Sequence, residues 1–275
     1  MKIHQALSHA SSHLRQSDTR HLDAELLLAY ALNKSREFII TWPKTDLSES
    51  ELQNFLNLLE QRVLGHPIAY LIGRKAFWDF DLTVSINVLI PRPETELMVE
   101  LILEHLDTNK HLLADLGTGS GAIALALAKE RPDWQLLATD TSEAALDIAK
   151  LNAKNLKLSN IKFRQGSWAE ALNNEGYDAI ISNPPYIDKG DVHLNQGDIR
   201  FEPIQALVAE DDGLADLKQI AIQVLDKLKI GAILLLEHGY QQGGAVRQLM
   251  EQSGYNDIHT YKDLSGHERV TMARR

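Results

Sequence analysis

The feature that constrains the fold most is an alternation of short apolar runs with helical stretches, which begins near residue 110. The predicted strands are residues 111–116, 135–140, 161–163, 179–182, 232–236, 259–261 and 269–272. Strands that alternate with helices along a chain are typical of a mostly parallel sheet. We therefore predict that residues 91–275 form an α/β domain around such a sheet.

The N-terminal part of the chain shows a different pattern, in which apolar side chains recur at helical spacing. Ser48 precedes Glu51 by the spacing of a capping box, and Leu52 and Phe55 then continue an apolar helix face. The sequence shows no cluster of chemically reactive side chains in this region. We predict a small helical bundle over residues 1–73 that contacts a substrate or partner.

Two short segments connect these parts. Residues 74–90 alternate apolar and polar positions, which predicts a β-hairpin linker. The next segment, Pro91-Arg92-Pro93-Glu94-Thr95-Glu96, precedes an apolar helix over residues 97–106. Its prolines and acidic residues are typical of a helix start. Because it is rigid and carries an Arg and two Glu, it can equally line a site, and the sequence leaves both interpretations open.

Composition and charge exclude several function classes. The chain has 275 residues and no Cys, which excludes disulfides, thiolate metal sites and cysteine nucleophiles. A formal net charge of −10 disfavours nonspecific binding to nucleic acid. The sequence shows no signal peptide and no run of ~20 apolar residues, so we expect a cytoplasmic protein without a membrane partner. Since His193, His238 and His267 are scattered, we expect no metal site.

One tetrapeptide, Asn183-Pro184-Pro185-Tyr186, directly follows the predicted strand 179–182. Neither proline can donate to a strand ladder, and each restricts the residue before it to an extended backbone. The strand therefore ends abruptly, with an amide, a rigid corner and an aromatic ring at its carboxyl end. Ligands bind at this edge in open α/β sheets.

The tetrapeptide has a structural and a functional interpretation. It can be a plain Pro-Pro turn with a half-buried tyrosine. Alternatively, the Asn183 side-chain oxygen and the Pro184 carbonyl can accept the two N–H bonds of a planar amide or amino group, while Tyr186 stacks on that group. The lone pair of the nitrogen is then free to point at an electrophile. Catalysis of this kind relies on orientation and electrostatics and needs no acid or base.

A second set of residues at strand ends predicts a nucleoside pocket. The turn Gly117-Thr118-Gly119-Ser120-Gly121 follows strand 111–116, and its glycines let the backbone approach a ligand closely. Asp140 ends the next strand and can accept hydrogen bonds from both ribose hydroxyls. Trp168 follows the third strand and either stacks on an adenine ring or fills the core. The glycine spacing is one residue tighter than the dinucleotide fingerprint, which disfavours a dehydrogenase.

A nucleoside pocket beside an amide-orienting site suggests group transfer, for example from a sulfonium methyl donor. The motifs at 115–121, 140 and 183–186 resemble those of S-adenosylmethionine-dependent methyltransferases that modify amide or exocyclic amino nitrogens. Nearly the whole chain is similar to the HemK-like peptide chain release factor N(5)-glutamine methyltransferases. The segments that carry this closer resemblance are residues 91–96, 183–188, 200–203 and 266–269.

The resemblance implies a Rossmann-like sheet of seven strands whose last strand runs antiparallel, and a helical N-terminal domain that helps to dock a release factor. It implies that S-adenosylmethionine is the cofactor and that class-1 peptide chain release factors are the substrates. The methylated atom would be the side-chain nitrogen of the glutamine in a Gly-Gly-Gln tripeptide, and the modification would tune translation termination. We expect a monomer that does not bind nucleic acid directly.

The resemblance also implies roles for individual residues. The glycine turn would hold the methionine part of the cofactor, Asp140 the ribose and Trp168 the adenine. The implied cofactor-binding residues are Gly117, Thr118, Gly119, Ser120, Gly121, Asp140, Trp168 and Asn183. The implied substrate-binding residues are Asn183, Pro184, Pro185 and Tyr186, of which Asn183, Pro184 and Tyr186 are assigned to catalysis.

Three local features complete the prediction. Relatives commonly carry an Asp where this chain has Ser167, so an uncharged hydroxyl would face the adenine amino group here. Arg200 and Glu202 are predicted to form a local ion pair. Glu237-His238, at a strand end, is predicted to be a buried hydrogen-bonded pair.

The main alternative is a methyltransferase that acts on the amino groups of adenine or cytosine in nucleic acid, because that class shares the Asn-Pro-Pro-Tyr turn. Flipping a base out of a duplex usually requires a basic groove and a recognition domain. The net acidity and the compact helical appendage argue against it. A nucleoside-binding module without catalysis is a second alternative, but it would not need the turn at residues 183–186.

Overall fold

A computed structural model of the protein describes residues 1–174 and 176–275. The contacts between residues divide the chain into two compact units. The first unit contains Met1–Arg74 and the separate segment Asn195–Phe201, and the second contains Lys75–Leu194 and Glu202–Arg275. Among the described helices, none has the length and apolar character that crossing a membrane requires.

The first unit is a helical bundle. Its helices are α1 (Ile3–His13), α2 (Arg20–Ala31), α3 (Arg36–Thr41), α4 (Glu49–Val63) and α5 (Ile68–Ile72). The core between α1, α2 and α4 contains the buried side chains of Ile3, Leu27 and Phe55. The predicted capping box starts α4, since Ser48 Oγ accepts the Glu51 N–H at 3.3 Å and Glu51 Oε2 accepts the Ser48 N–H at 2.8 Å.

The segment Asn195–Phe201 belongs to this bundle through polar contacts, although it lies far along the sequence. Arg62, near the end of α4, donates from Nη1 to Asp198 Oδ1 at 2.7 Å. Arg200 donates from Nη2 to the Leu64 carbonyl at 3.2 Å. The chain that follows the Asn-Pro-Pro-Tyr turn therefore returns to the N-terminal helices before it continues.

The predicted hairpin is present but shorter than residues 74–90. It consists of β1 (Arg74–Phe77) and β2 (Phe80–Thr83), which pair with each other. The ladder ends at Thr83 because a side chain takes over its backbone groups. Asn152 Oδ1 accepts the Thr83 N–H at 2.8 Å, and Asn152 Nδ2 donates to the Thr83 carbonyl at 3.0 Å.

The second unit is built on a sheet that has seven strands within the described residues. These strands are β3 (Leu112–Leu116), β4 (Gln135–Asp140), β5 (Ile161–Gln165), β6 (Tyr177–Ser182), β9 (Leu228–Glu237), β10 (Asn256–Lys262) and β11 (Glu268–Arg274). Their order is β10-β11-β9-β6-β3-β4-β5, and β11 alone runs in the direction opposite to the other six. The predicted fold class is confirmed.

Helices and short elements complete the second unit. The helices are α6 (Glu96–His105), α7 (Ala122–Glu130), α8 (Glu143–Asn155), α9 (Ala215–Val224) and α10 (Gly243–Gln252). Two short strands, β7 (Ile187–Asp188) and β8 (Val208–Ala209), pair separately. Single 3₁₀ turns in this unit occur at Pro93–Thr95, Trp168–Ala171, Ile204–Ala206 and Leu225–Lys227. The turn at Val192–Asn195 ends at the Asn195–Phe201 segment of the first unit, and the turn at Ile199–Phe201 lies within that segment.

Strand register brings the sequence motifs to one edge of the sheet. The parallel strands β3 and β6 align Leu116 with Ser182, and β4 and β5 align Asp140 with Gln165. Each motif begins where its strand ends. The apolar strands are buried on both faces, as is usual for a parallel sheet covered by helices. Their carboxyl ends are thus the natural place for polar groups that face a ligand.

Candidate active site

A cavity of about 500 Å³ opens at the carboxyl edge of the sheet, within the second unit. The predicted site residues in its wall are Gly117, Gly119, Asp140, Trp168, Asn183 and Pro185. The described wall does not include Thr118, Ser120, Gly121, Pro184 or Tyr186. Six of the eleven predicted site residues therefore line the cavity.

Asp140 ties the ends of two neighbouring strands together at the cavity. Its Oδ2 accepts the Gly119 N–H at 2.9 Å, and its Oδ1 accepts the Ser142 N–H at 2.9 Å. Burial raises the pKa of Asp140, while the N–H groups of Ser142 and Gly119 act in the opposite direction. Since a carboxylate has about four acceptor positions, Asp140 retains capacity for further donors.

The glycine turn presents backbone to the cavity and side chains to the interior. Gly117 and Gly119 have positive φ angles of 70° and 56°, a conformation that glycine adopts without strain. A Cβ on Gly117 would lie 3.3 Å from the Trp168 ring. Thr118 points inward and donates to Asp115 Oδ2 at 2.6 Å. Burial raises the pKa of Asp115 to about 7.

Ser120 and Gly121 serve the packing of the turn. The Ser120 carbonyl accepts from Asn152 Nδ2 at 2.9 Å. A Cβ on Gly121 would approach Leu125 to 2.8 Å, so glycine is needed where α7 begins. In this structure the groups of the turn that line the cavity are Gly117 and Gly119.

Trp168 is both a wall of the cavity and a part of the core. It lines the cavity and packs against the buried cluster between the sheet and α9. Its φ of 39° is unusual for a residue with a large side chain. The Trp168 side chain hydrogen-bonds to Asp216. Burial raises the pKa of Asp216, although this hydrogen bond acts in the opposite direction. Asp216 and Ser167 also line the cavity.

Asn183 lines the cavity and is held by a residue that is not among those described in the wall. Its Nδ2 donates to Thr95 Oγ1 at 3.2 Å, and Thr95 Oγ1 donates to Glu237 Oε2 at 2.8 Å. Thr95 belongs to the Pro91–Glu96 segment, whose two interpretations are thereby combined: it starts a helix and it supports the site. The sequence indicated this segment but not the contact between Thr95 and Asn183.

Tyr186 is anchored by the same carboxylate. Its hydroxyl donates to Glu237 Oε1 at 3.2 Å. Burial and the negative charge of Glu237 raise the pKa of Tyr186, so the hydroxyl stays protonated and remains a donor. This hydrogen bond helps to fix the turn, whose backbone Pro184 and Pro185 already make rigid.

The predicted pairing of Glu237 with His238 is wrong. Both side chains are buried, but His238 Nε2 contacts Thr271 Oγ1 at 2.8 Å and its Nδ1 contacts the Gly239 carbonyl at 2.9 Å. Adjacent residues at a strand end point to opposite faces of the sheet, so they have different partners. Glu237 consequently serves the site, whereas His238 serves the core near β11.

The predicted ion pair between Arg200 and Glu202 is also corrected. Glu202 Oε1 lies 2.5 Å from Arg92 Nη2, and its Oε2 accepts the Ile90 N–H at 3.0 Å. The carboxylate is buried and thus joins the start of the Pro91–Glu96 segment to the chain after the Asn-Pro-Pro-Tyr turn. Arg200 instead donates to the Leu64 carbonyl within the first unit.

Replacement of Glu237 by Gln is expected to change the pH dependence of stability. Burial raises the pKa of Glu237 to about 7, against the hydrogen bond from Thr95 and the charge of Arg269. The folded state therefore keeps a proton that the unfolded chain releases. Its contribution to stability is complete below the ordinary pKa of 4.5 and is lost as pH rises through about 7.

Gln cannot ionise, so the Tm of Glu237→Gln minus that of the wild type should increase between about pH 5 and about pH 8. Calorimetry at both pH values measures this difference. Glu251→Gln, which changes an exposed carboxylate on α10, is the control and should follow the wild type. A difference for Glu237→Gln that stays constant over this range would contradict a buried carboxylate that ionises near pH 7.

Two family models and a solved structure match this chain. The Methyltransferase small domain matches residues 95–202, which include most of the site. A methyltransferase from Pyrococcus furiosus shares the fold, with a TM-score of 0.55 at 17% identity, and the match covers 79% of this chain and 97% of that one. The PrmC N-terminal domain matches residues 5–73, within the helical first unit.

Sequence relatives define the family more closely. The release factor glutamine methyltransferase of Salmonella typhimurium is 47% identical over 268 residues, which cover 98% of this chain and 97% of the relative. That of Xylella fastidiosa is 50% identical over 254 residues and covers 92% of each chain. The chain belongs to the release factor glutamine methyltransferase family, as the motifs predicted.

Proposed function

We propose that the protein transfers a methyl group from S-adenosylmethionine to the side-chain amide nitrogen of the glutamine in the Gly-Gly-Gln tripeptide of class-1 release factors. The observation that carries this proposal is the position of Asn183, which lines the same cavity as Asp140 and Gly119. An amide-orienting side chain thus lies beside a pocket suited to a nucleoside. The release factor glutamine methyltransferases that are 47% and 50% identical to this chain support the substrate.

The described residues of the cavity fit S-adenosylmethionine. A volume of about 500 Å³ suits a ligand of this size. Asp140 has acceptor positions left for the ribose hydroxyls, Trp168 supplies an aromatic wall for the adenine, and Gly117 leaves space for the methionine part. When bound, S-adenosylmethionine supplies a methyl group on a positively charged sulfur, which makes that group reactive toward a weak nucleophile.

The protein's own contribution is to orient the amide. Asn183 Oδ1 and the Pro184 carbonyl accept the two N–H bonds of the glutamine side chain, so the nitrogen lone pair points toward the methyl group. Tyr186 helps to hold the turn in place through its hydrogen bond to Glu237. This arrangement needs no general base at the start, because orientation and oriented dipoles lower the barrier.

A methyl-transfer assay tests the proposal. Purified protein and labelled S-adenosylmethionine are offered an unmodified release factor, its variant with Gln→Ala in the tripeptide, and duplex DNA. Label in the first substrate alone is the expected result. Label in DNA would favour an enzyme that acts on nucleic-acid amino groups, and no label in the release factor would overturn the proposed substrate.

A further inference from the structure

One buried carboxylate holds both polar side chains of the Asn-Pro-Pro-Tyr turn. Glu237 is 1% exposed and ends β9, the strand beside β6. Its Oε1 lies 3.2 Å from the Tyr186 hydroxyl, and its Oε2 lies 2.8 Å from Thr95 Oγ1. Thr95 in turn contacts Asn183, so both ends of the turn depend on Glu237.

The direction of each hydrogen bond follows from the number of available protons. When Glu237 is ionised its carboxylate can only accept, so the single hydroxyl proton of Thr95 then points at Glu237. The Thr95 oxygen can then only accept from Asn183, and the group of the Asn183 amide that donates is Nδ2. The Asn183 Oδ1 is consequently the group of the amide that Thr95 does not engage, on a residue that lines the cavity.

We propose that Glu237 is a positioning residue that, through the Thr95 hydroxyl, selects which end of the Asn183 amide faces the substrate. This inference rests on the proposed function, because it is the substrate amide that needs an acceptor at this position. If the Asn183 amide were turned over, its NH₂ group would face the NH₂ group of the glutamine. Two donors cannot form a hydrogen bond with each other, and the grip on the substrate nitrogen would be lost.

The surroundings of Glu237 support this arrangement. Arg269 on β11 places a positive charge near the carboxylate, while Glu94 places a negative charge there. Arg269 is itself held by Asp263 at 3.2 Å. Burial raises the pKa of Glu237 to about 7, while Thr95, Arg269 and Tyr186 act in the opposite direction and favour the ionised carboxylate that the donor count requires. We therefore expect the arrangement to be complete above about pH 7.

Two substitutions at Thr95 test the inference. Thr95→Val keeps the shape of the side chain and removes the hydroxyl, whereas Thr95→Ser keeps the hydroxyl. We expect Thr95→Val to lower kcat for release-factor methylation roughly tenfold, as the loss of one orienting hydrogen bond predicts. Donor affinity measured by calorimetry should change less than about twofold, and Thr95→Ser should retain most of the wild-type kcat.

A double-mutant cycle separates positioning from general packing. If Thr95 acts through Asn183, then adding Thr95→Val to Asn183→Ala should change kcat by less than about twofold. A further tenfold loss in the double variant would show that Thr95 acts elsewhere and would overturn the inference. A wild-type kcat for the single Thr95→Val variant would overturn it as well.

Thr271→Val is the matched control. Thr271 is a buried threonine on the neighbouring strand β11, where its hydroxyl contacts His238 and Thr260 and not the turn. Its loss should leave kcat near the wild-type value. An equal decrease in Thr271→Val and Thr95→Val would assign the effect to packing and overturn the inference.

Two measurements keep the test decisive. If Thr95→Val does not unfold cooperatively, Glu237→Gln replaces it, and a folded Glu237→Gln with wild-type kcat would contradict the inference. Wild-type protein that does not label a release factor would overturn the proposed function and this inference together. Wild-type protein that labels the factor, with Thr95→Val equally active, would overturn the inference alone.

Discussion

Asn183→Ala is expected to lower the turnover of methyl transfer by roughly 10²–10³, because one oriented acceptor for the substrate nitrogen is removed. Asn183 is fixed by Thr95 on one side and faces the cavity on the other, so alanine leaves no group to take its place. Donor binding should change little, since Asp140 and the glycine turn remain intact. Single-turnover kinetics and calorimetry on the same preparation separate the two quantities.

Asn109→Ala provides the control for this experiment. Asn109 is an exposed residue before β3 that hydrogen-bonds to Asp107. The control variant should keep both wild-type turnover and wild-type donor affinity. A large loss of donor affinity in Asn183→Ala, with turnover at saturation unchanged, would remove Asn183 from the chemical step and assign it to cofactor binding.

Asp140→Ala is expected to weaken donor binding by roughly 100-fold or more, because hydrogen bonds to a charged group contribute more than neutral ones. Its carboxylate also fixes the Gly119 N–H, so the glycine turn loses a partner at the same time. Calorimetric titration with S-adenosylhomocysteine measures the affinity without any catalysis.

Asp147→Ala, on the exposed face of α8, removes a carboxylate of the same type that pairs only with Lys150 among the contacts described for it. It should bind the donor product as the wild type does. An Asp140→Ala variant with unchanged affinity would show that the ribose is held by other groups of the wall.

The centre of the sheet could be predicted because β3, β4 and β6 are almost entirely buried. The run Ala179–Ser182 is entirely buried, and the strand in the structure begins two residues earlier, at Tyr177. For β9 the predicted start at residue 232 was late, since the strand begins at Leu228. Lys229, Ile230 and Gly231 are exposed, so this part of the strand has no apolar run to reveal it.

The cavity could be predicted in part for a geometric reason. Motifs that end parallel strands must meet at one edge, which places Gly117, Asp140 and Asn183 together. The support of Asn183 could not be predicted in this way. Thr95 and Glu237 are 142 residues apart, and no local pattern indicates that their side chains will meet. Asp216 on α9 is similar, because an amphipathic helix does not show which polar residue will face a ligand.

The return of Asn195–Phe201 to the N-terminal helices has a consequence for engineering and for the exchange of domains between homologues. A fragment that starts at residue 75 would retain the segment Asn195–Phe201. It would lack Arg62 and Leu64, which form hydrogen bonds with that segment. One cut in the gene cannot part the two units cleanly. A chimera that takes its N-terminal helices from a homologue must therefore also take residues 195–201 from that homologue.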